Sequence, residues 1–192
     1  MRIMKLKILL LFSVAVLVFA KTEAQQKFKF TSTNLAGILI GSSEPAFQVQ
    51  SINGVSNKDF SAGIGVGMDN YYFKSIPVFL HLTRKISIKN FTPFVYTDIG
   101  LNLPEDRTGD EELWEKRIYS NGLYFDLGFG YSIPLYKKMA MTFSMGYSQK
   151  YMNEKRERGY FIGFPVGVYH ELPNEYYSYT FRRISLKAGL SF

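Results

Sequence analysis

Bulky apolar residues recur at alternate positions along most of this chain, and the positions between them are small or polar. Between 59 and 68, Phe60, Ala62, Ile64, Val66 and Met68 alternate with Ser61, Gly63, Gly65 and Gly67. Between 122 and 133, Leu123, Phe125, Leu127, Phe129 and Tyr131 alternate with Tyr124, Asp126, Gly128, Gly130 and Ser132. Between 138 and 147, Met139, Met141, Phe143, Met145 and Tyr147 alternate with Ala140, Thr142, Ser144 and Gly146. A period of two predicts strands, and no stretch after residue 24 carries the 3.6-residue period of an amphipathic helix. Eight strands are expected, at about 28–41, 46–55, 59–69, 75–87, 91–103, 120–133, 138–151 and 179–192. Residues 88–90 and 134–137 read as tight turns, and 104–119 and 152–178 as long charged loops. The apolar run 35–40 blurs the first strand, because both of its faces are greasy. A ten-strand alternative uses 160–170 as one leg of an extra hairpin; the eight-strand reading leaves that segment in the last long loop.

The strands' second face argues against a soluble sandwich, whose interior needs bulky side chains from two facing sheets. Here the second face is mostly Gly, Ser and Thr with a few charges. A narrow transmembrane barrel inverts the usual order, with bulky residues toward lipid and small or polar ones in the lumen. Short turns then mark the periplasmic end and long loops the outer end, and an even strand count puts both termini in the periplasm. Aromatics near strand ends fit a water–lipid boundary, among them Tyr119, Tyr131, Tyr136, Tyr147, Tyr151, Tyr176, Tyr177 and Tyr179.

The N-terminus supplies a compartment. Arg2, Lys5 and Lys7 precede an apolar run from Ile8 to Ala20, shorter than the roughly 20 residues of a membrane-spanning helix. This reads as a cleaved signal peptide. Cleavage after Ala20 or after Ala24 fits the small-x-small rule, and Ala24 is preferred, dividing the chain into residues 1–24 and a single barrel domain at 25–192. Removing the leader takes away four basic residues and one acidic residue, so the formal charge falls from +7 to +4. The remaining excess is modest and scattered, which argues against a nucleic-acid partner. With no cysteine in the chain, neither a disulfide framework nor a lipidated cysteine holds the protein.

The chain closes on Arg182-Arg183-Ile184-Ser185-Leu186-Lys187-Ala188-Gly189-Leu190-Ser191-Phe192. Its alternation of apolar residues and terminal aromatic resembles the last strand of outer-membrane β-barrel proteins. Together with Gly63–Asp69 and Ser75–Leu80, the ending resembles the small outer-membrane barrel proteins of Bacteroidetes-type bacteria, over most of the mature length. That resemblance implies that Ile184, Leu186, Ala188, Leu190 and Phe192 form the signal read by the barrel-assembly machinery. It also implies outer-membrane lipid and lipopolysaccharide as surroundings.

Enzyme motifs are nearly absent. HExxH, a phosphate-binding loop and a nucleophile elbow are all missing, and the Gly63, Gly65 and Gly67 spacing suits a strand. His81 and Thr83 share a face and faintly resemble the His-x-Ser pair of lipid A deacylases. The loop from Glu105 to Lys116 has enough carboxylates to bind a divalent cation, although a solvated loop is the ordinary reading. No cofactor or metal is expected. Strand parity places His81, Lys85, Asp98, Asp126, Arg183 and Lys187 in the lumen, with Asp98 and Asp126 adjacent and Arg183 at matching height to bridge them. Charges in a narrow lumen must be paired, which reads as a side-chain plug. The expectation is an integral outer-membrane barrel without catalysis, structural or engaged in surface recognition. The alternatives are a narrow channel or, last, a lipid-modifying enzyme.

Overall fold

In an extended chain successive side chains point to opposite faces, so a sheet with one bulky and one bare face must give each its own environment. The computed structural model describes residues 28–42, 44–70, 74–86, 92–105, 115–136, 139–162 and 168–192. The leader expected at 1–24 and the turn expected at 88–90 lie outside them. The strands are β1 (Lys29–Ile40), β2 (Ala46–Ser56), β3 (Phe60–Asn70), β4 (Lys74–Lys85), β5 (Pro93–Pro104), β6 (Glu115–Ser120), β7 (Gly122–Tyr136), β8 (Met139–Ile162), β9 (Val168–Glu171) and β10 (Glu175–Ser191).

All pairings are antiparallel, and the sheet closes where β10 pairs with both β8 and β1. Strands β6 and β7 both pair with β8, on either side of Asn121, and act as one stave. Strand β9 pairs with the far end of β8 and stays outside the closed wall. The wall is therefore an eight-stranded all-β barrel, and the described parts of 160–170 pair with each other, at the end of β8 and in β9, instead of forming a ninth and tenth leg. The start of β1 and the C-terminal residue meet at one rim, where Phe192 N–H donates to Ser32 O at 2.8 Å and Ser32 N–H to Phe192 O at 3.1 Å.

The registers also fix the tilt. Stepping across paired residues, Phe30, Val55, Ala62, Leu82, Thr97, Leu127, Tyr147 and Ile184 lead back to β1 at Ile40, ten residues beyond the start. At the usual spacings within and between strands, that shear tilts the strands by about 40°. Every residue on this path faces outward, so it also traces the apolar exterior. Phe47, Ile64, Leu80, Ile99, Leu127, Phe129 and Ile184 are among the many large apolar side chains left exposed there, while buried apolar residues are few.

Three segments expected to be turn or loop are strand in part. Residues Pro134–Tyr136 continue β7, with an irregular register between Pro134 and Tyr136. Residues 115–119, 152–162 and 175–178 belong to β6, β8 and β10, which extend beyond the barrel wall. The 24 residues of β8 rise roughly 60 Å along the axis at that tilt, against an apolar belt of about 25 Å. In this projecting paddle both faces are wet, so the bulky-against-bare alternation disappears. Charge pairing replaces it: Arg158 opposes Glu115, and Arg156 opposes Glu175.

Candidate functional site

The bare inner face leaves space for the few large side chains that do point inward. A Cβ on Gly65 would lie 2.2 Å from the Phe79 ring, and one on Gly146 would lie 2.2 Å from the Tyr96 hydroxyl. The glycines are thus the counterpart of Phe79 and Tyr96, and the polar lumen is organised around those rings.

Toward the loop end, Asp69 and Lys150 form an ion pair with both side chains about 1% exposed. Ser75 donates to Asp69 at 2.9 Å and accepts from Lys150 at 3.1 Å. One layer further in, Gln50 Nε2 donates to the Tyr124 hydroxyl at 2.9 Å, and Phe79 lies against Tyr124 with centroids 5.2 Å apart. Leu35 and Ile52 complete this apolar layer. All these side chains are buried. Arg183 sits at the same end, where its Nη1 donates to the backbone carbonyls of Leu39 at 3.2 Å and Glu44 at 2.7 Å.

At mid-height, Asp98 and Asp126 face each other in register across β5 and β7, as strand parity requires, and both are fully buried. The cation between them is Lys187. Its Nζ donates to Asp126 Oδ2 at 3.0 Å and Gln50 Oε1 at 3.3 Å, and lies 3.9 Å from Asp98 Oδ2 and 4.5 Å from the Tyr96 ring centre. Tyr96 and Ser185 donate to Asp126 Oδ1 at 2.9 and 3.3 Å. The bridging role expected of Arg183 therefore belongs to Lys187, and tilt is the reason. The register path from Asp98 runs through Asp126 and Ser148 to Arg183, but it climbs toward the loop end by ten residues per circuit. Across three pairings the climb is nearly four residues, so the level partner of Asp98 on β10 is Lys187.

Nearer the rim where β1 begins and β10 ends, His81 Nδ1 lies 2.5 Å from Asp98 Oδ1, and Thr83 Oγ1 lies 2.6 Å from His81 Nε2. With the proton on Nδ1, His81 donates to the carboxylate and accepts from the Thr83 hydroxyl. A hydroxyl chain crosses the opposite wall: Ser132 to Thr142 at 3.3 Å, Thr142 to Ser191 at 3.0 Å, and Thr33 to Ser191 at 3.0 Å. Between these walls is a cavity of about 260 Å³, with Lys85 among its lining residues. Of the six luminal residues expected from the sequence, His81, Asp98, Asp126 and Lys187 form one connected group, Lys85 lines the cavity, and Arg183 anchors the loop end.

Asp69, Lys150 and Gln50 were missed by sequence reasoning. Parity carried the signal for the first two, since Asp69 follows Gly67 and Lys150 follows Gly146 and Ser148 on the bare faces. On the outer face of β10, Ile184, Leu190 and Phe192 are exposed while Leu186 and Ala188 are partly covered. No group of three or more His, Cys, Asp or Glu residues gathers as a metal site among the described residues; most of the loop between Glu105 and Lys116 lies outside them.

The paddle carries a second polar cluster. Arg158 bonds Glu115 and Glu175, each at 3.2 Å, Arg117 bonds Glu115 at 2.7 Å, and Arg156 lies 4.6 Å from the Tyr177 ring centre. The Arg117 hydrogen bond holds the Glu115 carboxyl below its ordinary range. Among described charges the cluster is nearly self-neutralising.

No family model and no curated protein matches the chain. Among solved structures, it is similar to Neisserial surface protein A, at 11% identity over 85% of this chain and 95% of that one, with a TM-score of 0.49. It is also similar to the outer membrane protein AlkL in lipid bilayers, at 14% identity over 88% of this chain and 90% of that one, with a TM-score of 0.39.

Proposed function

We propose that this chain is an integral bacterial outer-membrane barrel without catalytic activity, its lumen plugged by side chains, which acts structurally or in surface recognition through its projecting paddle. The observation that carries this reading is the inversion of the barrel. Large apolar side chains cover the exterior, while Asp69, Lys150, Asp98, Asp126 and Lys187 are paired inside and withdrawn from solvent. An apolar wall of this extent on a soluble monomer would be a large aggregation surface; in a bilayer it is the solvated face. Eight strands leave an interior just wide enough for side chains to fill, and the buried Gln50–Tyr124–Phe79 layer supports closure. The rim where β1 begins and β10 ends faces the periplasm in this reading, so the charged paddle stands outside, where loops and extended strands meet partners. The terminal face from Ile184 to Phe192 is the proposed assembly signal, and its likeness to Bacteroidetes-type barrels comes from the sequence.

Planar-bilayer recording tests the plug. The purified barrel is expected to add no discrete conductance, whereas an Asp69→Ala, Lys150→Ala, Tyr124→Ala triple variant is expected to leak. Steady conductance steps from the unmodified barrel would replace this reading with that of a narrow channel.

A further inference from the structure

We propose that the free edge of β10 in the paddle is a docking site for a partner polypeptide, which adds a short, acid-bearing extended segment to it as a further strand. The site lies on the part of the molecule that the proposed function places outside the cell, and it depends on that placement.

Pairing between β1 and β10 stops at Ile40 and Ile184, whereas β10 reaches back to Glu175 paired to β8 alone. The reciprocal bonds between Phe192 and Ser32 show that even-numbered residues of β10 turn their N–H and C=O toward β1. The register with β8 is unbroken along the strand, so this parity holds beyond the end of β1. Tyr176, Ser178 and Thr180 therefore aim backbone donors and acceptors at an edge where, among the described residues, nothing bonds them. These groups recur every two residues, about 6.8 Å, the repeat of another extended backbone. Long exposed edges are ordinarily blunted by charge, proline or a bulge. The opposite edge of the paddle follows that rule, with Glu115, Lys116 and Arg117 on β6. The β10 edge does not, because Tyr176 to Phe181 is uncharged, rich in aromatic and β-branched residues, and regular.

The two faces beside the edge define the segment. On the inward face Tyr177, Tyr179 and Phe181 stack in a ladder with centroids 6.4 and 6.1 Å apart, and an added strand lays aromatic or β-branched side chains against it. On the outward face Tyr176, Ser178 and Thr180 are exposed and suit polar side chains. Below them stands Arg182, exposed, with no acid within bonding distance among the described residues. The segment therefore alternates apolar with polar residues and carries a carboxylate at its membrane end. A second copy in the same membrane does not fit. A two-fold axis along the membrane normal reverses the in-plane lean of strands tilted by about 40°, so two β10 edges would cross at about 80°, against roughly 20–25° between paired neighbours.

The test uses the full barrel in lipid nanodiscs, with amide hydrogen exchange read residue by residue by NMR. The probe is a synthetic peptide of about six residues, the length of an ordinary strand. It alternates valine and tyrosine with threonine, has glutamate at the polar position nearest each end, and is N-methylated along one edge so that it cannot assemble with itself. One control has the same side chains with every amide methylated; another has lysine in place of glutamate. In the free barrel the amides of Tyr176, Ser178 and Thr180 are expected to exchange quickly and those of Tyr177 and Tyr179 slowly. The probe at millimolar concentration is expected to slow the three even-numbered amides at least about tenfold, the fully methylated control not at all, and the lysine peptide markedly less. Ser178 has its N–H on the free edge, so Ser178→Pro spares the ladder with β8; it is expected to keep the heat-dependent gel shift and to abolish protection at Tyr176 and Thr180. Thr180→Pro repeats the test at a second position. No protection by the probe, protection that survives both proline variants, or equal protection by either control peptide would each overturn the proposal. So would protection of these amides in the free barrel that grows with its concentration, which would mark a second copy. Labelling of Ser178→Cys on intact cells by a membrane-impermeant maleimide separates the two readings. Labelled cells with no amide protection refute the docking site alone, whereas labelling only after the cells are broken refutes the paddle's placement outside and the docking site with it.

Discussion

Lys187→Met is the perturbation that reads the luminal network most sharply. Lys187 is almost completely buried, donates to Asp126 and Gln50, and stands within 4 Å of Asp98. Methionine keeps most of the volume, so packing changes little and the loss is electrostatic, including the ammonium's place over the Tyr96 ring. It leaves two carboxylates opposed across β5 and β7. Asp126 keeps hydrogen bonds from Tyr96 and Ser185, and Asp98 keeps His81, so the cost is that of removing one partner from a buried ion pair, about 3–5 kcal/mol. Urea unfolding in detergent micelles, followed by circular dichroism and by the unboiled gel shift, measures it. Adding Asp126→Asn removes the orphaned charge, and the double variant is expected to recover at least about 1.5 kcal/mol relative to the sum of the singles. The coupling of Arg183 to Asp126 in the matching cycle is expected to be smaller, because the shared hydrogen bonds run through Lys187. A Lys187→Met barrel within about 1 kcal/mol of the parent, or coupling below about 0.5 kcal/mol, would refute the network as drawn.

Three further outcomes follow from other parts of the molecule. Gly65→Ala is expected to cost about 1–3 kcal/mol by driving a methyl into the Phe79 ring, and Phe79→Ala in the same chain should recover part of it; urea midpoints of the four proteins decide. Deleting Phe192, or placing Asp there, is expected to lower the amount of folded barrel in outer-membrane fractions while leaving export unchanged, and an unaltered folded yield would remove the assembly-signal role. In the paddle, Glu115 has a depressed folded-state pKa, so its contribution is present above its ordinary value of 4.5 and is lost as pH falls through the lower folded value. The β6 amide resonances are therefore expected to broaden only once the pH has fallen below the ordinary carboxylate range and to remain sharp at neutral pH, while those of β2 to β4 hold. Arg117→Gln should move the onset to higher pH.

How far the sequence reveals this molecule depends on what each rule measures. Parity is local and survives any tertiary arrangement: Ile64 against Gly65, Leu127 against Asp126 and Leu186 against Lys187 each divide outside from inside without knowledge of the neighbours. The opposition of Asp98 and Asp126 is legible for the same reason, because adjacent antiparallel strands share a register. Contacts across the lumen are of another kind. Whether Arg183 or Lys187 reaches the acids depends on shear, which is the sum of registers around the whole wall, and no single strand contains it. The paddle is hidden for a different reason. Residues 154–158 set only charge against charge, since both faces are solvated, and pairing by Arg158 with Glu115 and Glu175 cannot be read from apolar periodicity.

The claim on which everything rests is that the alternating apolar face meets lipid and the bare face meets the lumen. Because the chain has no native cysteine, single cysteines carrying a nitroxide can be placed one at a time along β7 from Leu123 to Ile133 in barrels reconstituted in lipid vesicles. Collision rates with dissolved oxygen, which concentrates in the bilayer, and with a water-soluble nickel chelate are then measured by electron paramagnetic resonance. Oxygen accessibility is expected to peak at 123, 125, 127, 129 and 131 and to fall at the even positions between them, with nickel accessibility low at the odd sites. High nickel accessibility at the odd positions, or no period of two, would show that this face does not lie against lipid.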